Sequence, residues 1–294
     1  MILVVNPVAG LEHIFEHPFL RNAYLAGTAI ALAAGLVGYF VVLRAQVFTG
    51  DALSHVAFTG AVAALARGVS VLLGLYVSCV VIALAMALLG RRGRADDTVI
   101  GSIFAWIVGL GALFLAIYSS SARGSNGTTG VTVLFGTIFG LSGTQAITDA
   151  LVSLGVTVVL LAIARPLLFV SVDEAVASAR RVPVRALGLV FLALVGLTSA
   201  SATQAVGALL LLGLLAAPAG AARRITARPY VGMWISALIA VGSVWAGLTI
   251  SYAAPRVTPS FSIVAVATGV YLMCFVVTSL RRARAGARRE VAPA

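Results

Sequence analysis

The run from Asn22 to Leu43, NAYLAGTAIALAAGLVGYFVVL, carries no charged residue and stops at Arg44. A helix that crosses a bilayer needs roughly 20 apolar residues, so this stretch reads as a transmembrane helix closed by a cation at the membrane surface. Comparable runs follow at 51–66, 68–90, 98–118, 146–170, 186–222, 231–253 and 263–280, with no polar interval of domain size between them. The chain of 294 residues is 61% hydrophobic and 10% charged, with a mean hydropathy of +1.09, a composition that a water-facing surface does not sustain. The fold class is therefore all-α, a polytopic integral membrane protein. No length remains for a separate catalytic or ligand-binding domain.

The expected total is eight spans, or nine. The run 186–222 has length for two helices and is expected to break near Thr198 to Gln204, where polar residues gather. Val131 to Leu141 is apolar but too short to cross, which suits a re-entrant or interfacial piece. The short polar turns at 44–50 and 67–70 leave the division of the first three runs open, and with it the side on which the N-terminus lies.

All 20 basic residues are arginine, and the net charge is +11. Such an excess suits nucleic acid or a membrane surface. Here the arginines cluster at the ends of apolar runs: Arg91, Arg92 and Arg94; Arg180, Arg181 and Arg185; Arg223, Arg224 and Arg228; and five between Arg281 and Arg289. That is the positive-inside pattern of cytoplasmic loops, so no nucleic-acid partner is implied, and the chain belongs in a bacterial inner membrane, in contact with lipid. The Ser-, Gly- and Thr-rich interval from Ser119 to Gly130 suits an external loop. The chain divides into an interfacial segment at 1–21, one transmembrane domain at 22–280 and a basic cytoplasmic tail at 281–294. No basic leader precedes a small-residue cleavage site, so no removable signal peptide is expected. Cys79 and Cys274 lie in apolar runs and read as small hydrophobes.

The residues that carry chemistry begin at GDALSHVAFTG, Gly50 to Gly60. A carboxylate and an imidazole inside an apolar helix are costly in lipid and imply function. Asp51 and His55 are four apart, hence on one helical face, and an aspartate oxygen with an imidazole nitrogen suits manganese, iron or zinc. The alternative is that Asp51 caps the helix after Gly50 and His55 is a packing residue. A second charged element, VDEAVASARRVPV from Val172 to Val184, reads as a short helix between spans, stopped by Pro183; its alternative is an amphipathic linker at the interface. The chain contains no lysine. A P-loop needs one to reach the β- and γ-phosphates, so ATP hydrolysis by that route has to come from a partner.

Gly50-Asp51-Ala52-Leu53-Ser54-His55 resembles the hallmark of the zinc/manganese/iron ABC transporter permease family, the ABC-3 type. The likeness runs upstream through Pro18-Phe19-Leu20-Arg21 and Val42-Leu43-Arg44. It continues in Asp97-Thr98-Val99-Ile100-Gly101, in Leu134-Phe135-Gly136, and in Val206-Gly207-Ala208-Leu209-Leu210 leading to Pro218-Ala219, covering about residues 18 to 280. The resemblance implies the membrane subunit of an ATP-driven importer for zinc, manganese or iron. Such a subunit is itself no enzyme and holds no resident cofactor, only the transported ion. It works as a homodimer or beside a paralogue, with cytoplasmic ABC ATPases and an extracytoplasmic metal-binding protein. By resemblance Asp51 and His55 line the metal path, and 173–185 is the loop that couples to the ATPase, with Asp173, Ala177, Pro183 and Val184 matching. Two positions depart from the pattern: Thr59 stands where a proline is usual, and Arg181 where a glycine is.

Two rival readings compete. His13-Ile14-Phe15-Glu16-His17 fits the His-x-x-Glu-His pattern of zinc peptidases, but Pro18 disfavours helical geometry at His17 and no soluble fold surrounds the motif to add a ligand. A gradient-driven secondary transporter would use Asp51 and His55 as its coupling pair. It would leave the 173–185 loop without a purpose.

Overall fold

The protein is described by a computed structural model over residues 17–90, 97–120, 134–254 and 256–290, with side chains described as far as residue 281. Helix α1 (Pro18–Leu43) opens with proline at its first position, where the missing N–H costs nothing. Next come α2 (Val47–Arg67), ended by Gly68 at φ 72°, α3 (Val71–Leu89) and α4 (Asp97–Ser120). Helix α5 (Gly143–Val172) starts on a capping box between Ser142 and Gln145. The short α6 (Glu174–Ala179) leads into α7 (Val184–Val206) and α8 (Leu211–Ile225), then α9 (Pro229–Ala253) and α10 (Pro259–Glu290). No strand occurs among the described residues.

Among the described residues seven helices are long and apolar enough to cross a bilayer: α1, α3, α4, α5, α7, α9 and α10 as far as Arg281. Helix α2 has 21 residues, about 31 Å at 1.5 Å per residue, which also suffices. Its Asp, His, Ser and Thr residues lower its hydropathy rather than its length. Helix α8 is shorter, 15 residues.

The ends of the helices settle their directions. Asn22, at the start of α1, donates to Leu141 O beside the start of α5 (3.4 Å), while Arg223 of α8 donates to Val42 O at the far end of α1 (3.1 Å). The arginine end is cytoplasmic by the positive-inside rule, so Pro18 lies outside. Helices α1 to α5 and α7 to α10 then alternate in direction. Helices α1 and α7 form the centre, and α4 and α10 lie at the edge, little covered by the rest of the chain.

The break between α7 and α8 falls at Gly207–Leu210, not at Thr198 to Gln204 as the sequence suggested. The hydroxyls of Thr198 and Ser201 donate to the carbonyls of Leu194 and Leu197 one turn back (2.8 and 3.2 Å), so those residues stay helical. Gly207 ends the helix at φ 97° and lies against Gly136 at φ 73°. A Cβ on Gly136 would stand 2.5 Å from Gly207 N, and one on Gly207 would stand 2.7 Å from Gly136 N. Around this contact Thr137 N donates to Gln204 O (3.3 Å), Leu209 N to Leu134 O (3.4 Å) and Ser260 Oγ to Phe135 O (2.6 Å). Irregular backbone at membrane depth survives only where protein covers it, and these bonds do that.

The described part of the 131–141 piece, from 134 on, descends from the external end without crossing. Ile138 reaches the position where a Cβ on Gly27 would project, about 13 Å along α1 from its start. Residues 131–133, the first 16 residues, the Arg91–Arg94 cluster, the external interval 121–130 and the last four residues of the tail lie outside the described residues.

Gly207→Ala is expected to lower stability by about 1–3 kcal/mol, because both the backbone angle and the Gly136 contact oppose a side chain. Gly101→Ala, where a Cβ would meet nothing within 4 Å, is expected to be neutral or stabilising. Thermal unfolding of the purified chain in detergent separates the two.

Candidate metal path

Helix α2 begins at Val47, and its N-cap is Gln46. Asp51 is therefore inside the helix, a full turn past its start, and the capping alternative for this residue falls. Ala52, Leu53, Ser54, Val56 and Ala57 are buried, whereas Asp51, His55 and Phe58 are half-buried. Positions i, i+4 and i+7 share a face. One open stripe of α2 thus carries the carboxylate, the imidazole and an aromatic ring.

The walls of this stripe come from α4 and its support from α3. The His55 ring stands edge-on to Phe104, with centroids 5.1 Å apart and planes at 84°, and the Phe48 ring is tilted against Phe104 with centroids 6.0 Å apart. Behind the stripe, Cys79 Sγ donates to Leu53 O (3.5 Å) and Ser78 Oγ to Val56 O (3.3 Å), bracketing His55. Gly60 and Gly74 bring α2 and α3 into backbone contact, since a Cβ on either would collide with the other's carbonyl. Thr59, the departure from proline, donates to Ile107 O of α4 at 3.0 Å. It joins two helices where proline would have kinked one.

Among the described residues no group of three or more His, Cys, Asp or Glu side chains comes together. Asp51 and His55 offer two candidate donors, not a closed cage. Such an arrangement fits an ion in passage, which has to be held loosely enough to leave, with other donors completing its shell.

His17 is exposed, lies in extended conformation ahead of Pro18 and stacks on Phe19 at 5.7 Å. His13 and Glu16 lie outside the described residues.

The 173–185 segment folds on its own small core. Asp173 caps α6, accepting from Val176 N at 2.9 Å. Ala177 and Val184 are buried with Val170 and Leu187, and Val182 packs against them. Of the four matching residues, Ala177 and Val184 anchor the segment from inside, while Asp173 and Pro183 are exposed. Val172 and Val176 also face outward, 72% and 46% exposed. Arg181 adopts φ 59°, so the turn keeps the left-handed geometry in which glycine is at ease.

The sequence reading passed over Asp149. This carboxylate is fully buried in α5 and accepts from the Tyr76 hydroxyl of α3. One acid in a long apolar run was its signal.

The family model for the ABC 3 transport family matches residues 16–278. The manganese transport system membrane protein MntC of Halalkalibacterium halodurans is 29% identical over 268 residues, covering 90% of this chain and 89% of that protein. A Haemophilus influenzae protein named "Probable iron transport system membrane protein" is 26% identical over 238 residues, 81% of this chain and 86% of its own length. Among solved structures, PsaBC from Streptococcus pneumoniae in complex with Fab superposes with a TM-score of 0.79 at 25% identity, covering 91% of this chain and 95% of that one.

The loop geometry makes a stability prediction. Removing the cap with Asp173→Ala should cost about 1 kcal/mol. Arg181→Gly should stabilise by roughly 0.5–1 kcal/mol, because the left-handed angle penalises a Cβ. Denaturation of the two variants beside the parent checks the opposite signs.

Proposed function

The chain belongs to the ABC 3 transport family, and we propose that it carries manganese along a path lined by Asp51 and His55, between two permease copies. It is the permease subunit of an ABC metal importer, a multi-pass bacterial membrane protein and not an enzyme. The observation that carries the proposal is the half-open acid–imidazole stripe on α2. A carboxylate and a histidine at membrane depth need a partner, and within this chain the stripe is walled by Phe104 and backed by α3 but not closed.

A second copy supplies the closing wall. Beside the stripe, Ala105 and Gly109 of α4 are exposed, and a Cβ added at Gly101 or Gly109 would meet nothing within 4 Å. Small residues at one-turn spacing permit close helix approach. Trp106, 72% exposed, adds apolar area to the same face.

A mixed oxygen and nitrogen ligand set suits manganese, and the name of the MntC relative supports the same reading. Iron is the second reading, supported by the name of the Haemophilus influenzae relative. Nothing about the two side chains themselves selects against zinc.

The energy comes from a cytoplasmic ATPase docked on the 173–185 segment. Its exposed Val172 and Val176, the exposed Arg180, Arg181 and Arg185, and its seat between α5 and α7 support this role. An extracytoplasmic metal-binding protein delivers the ion to the external end. The gradient-driven alternative has no comparable support, since the family is one of ABC transporters.

Uptake into vesicles holding the permease and its ATPase tests the reading. Asp51→Asn and His55→Ala should each abolish manganese uptake while membrane insertion and ATPase association persist. Wild-type uptake by both variants at limiting metal would refute the path. Deleting 173–184 should separate ATP hydrolysis from uptake. A functional complex containing one permease chain would exclude the paired arrangement, and stronger competition by iron than by manganese would reverse the choice of metal.

A further inference from the structure

Asp149 is out of contact with solvent, within a transmembrane helix, about 9 Å along α5 from its external start. Three helices meet at its carboxylate. From α3, the Tyr76 hydroxyl donates to Asp149 Oδ1 at 2.5 Å and also lies 2.9 Å from Ser201 Oγ of α7, where either oxygen can donate. From α7, the Gln204 amide faces the carboxylate, 3.2 Å from both oxygens. Ser153, Ser199 and Thr203, on the same stretches of α5 and α7, hold buried hydroxyls without a partner.

No cation is recorded against this carboxylate among the described residues. From α3 the titratable groups are Tyr76 and, one turn on, Cys79, whose thiol is engaged with Leu53 O. From α7 the facing groups are neutral, Ser201 and Gln204. From α1, which also packs on α5, Arg21 is exposed at the external end, Tyr24 bonds Thr249, and Tyr39 lies toward the cytoplasmic end beside Gly232.

An asparagine at 149 could bond the same tyrosine and glutamine without the cost of a buried charge. What a carboxyl adds is the capacity to gain and lose a proton. The surrounding groups serve both states. With Asp149 ionised, Gln204 turns its NH2 to both oxygens; with Asp149 protonated, Gln204 Oε1 accepts the acid O–H. The Tyr76 hydroxyl can donate to Asp149 or to Ser201. At 2.5 Å between Tyr76 and Asp149 there is no room for a metal ion between them.

The position gives the proton a consequence. Gln204 also bonds Thr137 through its backbone, at the junction of 134–137 with the α7–α8 break. On α3, Ser78 and Cys79 hold the backbone of α2 around His55.

We propose that Asp149 is a proton-binding site inside the bundle, shared with Tyr76 and served by Gln204, and that release of its proton loosens the external end where 134–137 and 207–210 meet. On release the acid O–H bond breaks, its electron pair stays on the carboxylate, and the proton passes to external water. The charge left behind favours a wetter, more open arrangement of α3, α5 and α7. The inference is independent of which metal is carried and of whether Asp51 and His55 touch it.

The test uses the full-length chain in lipid nanodiscs without metal. Infrared spectra should show the carbonyl stretch of a buried carboxylic acid, shifted in D2O, fading as pH rises and absent from Asp149→Asn. Amide hydrogen exchange at 207–210 should match in parent and variant at acid pH and become several-fold faster in the parent at alkaline pH. Identical carboxylic-acid bands in both proteins across the pH range of stability, or equal exchange in both, would overturn the proposal. So would loss of the band on replacing choline by sodium at constant pH, which would make the occupant a sodium ion. If Asp149→Asn does not insert, Tyr76→Phe should shift the same band, and an unmoved band contradicts the assignment.

Discussion

A polar group inside a lipid bilayer has no water to fall back on, and its partners have to come from the protein itself. The architecture of this chain follows from that constraint. Serine and threonine hydroxyls fold back onto carbonyls one turn earlier in α5, α7 and α9. The two irregular segments at membrane depth, 134–137 and 207–210, are covered by bonds to each other, to Gln204 and to Ser260. Glycine at both contact points lets the backbones approach closely enough for those bonds to form.

The same constraint makes Asp51 and His55 conspicuous. Around them four polar groups are satisfied inside the bundle: Ser54 by the Asp51 carbonyl, Ser78 and Cys79 by the carbonyls flanking His55, and Thr59 by Ile107. The rigid packing behind α2 holds the stripe in place. Its face is half-open, with Asp51, His55 and Phe58 only partly covered by the rest of the chain. The 173–185 segment sits at the opposite end of α5 and α7 from the external break, with both helices running between the two.

Much of this was legible in the sequence because hydrophobic length and arginine placement are strong signals in a membrane chain. The apolar runs fall within helices, and the acid–imidazole pair lies on one face of α2 as its spacing required. The α7–α8 break was misplaced because polarity and helicity part company there. Thr198 and Ser201 look like loop residues but spend their hydroxyls on the helix, while Gly207 hides in an apolar run and reveals its role only through its backbone angle. Asp149 was missed for a different reason. Its partner Tyr76 is 73 residues away in sequence, and no local pattern announces a contact of that range. Arg181 shows the converse, a residue that departs from the pattern and still adopts the turn.

The central claim is that the transported ion is held by Asp51 and His55. Manganese bound to the permease isotopically labelled with nitrogen-15 histidine, examined by electron spin-echo spectroscopy, tests it most directly. The account predicts a directly coordinated imidazole nitrogen that vanishes in His55→Ala and persists when His13 and His17 are replaced. A nitrogen signal that survives His55→Ala would contradict it.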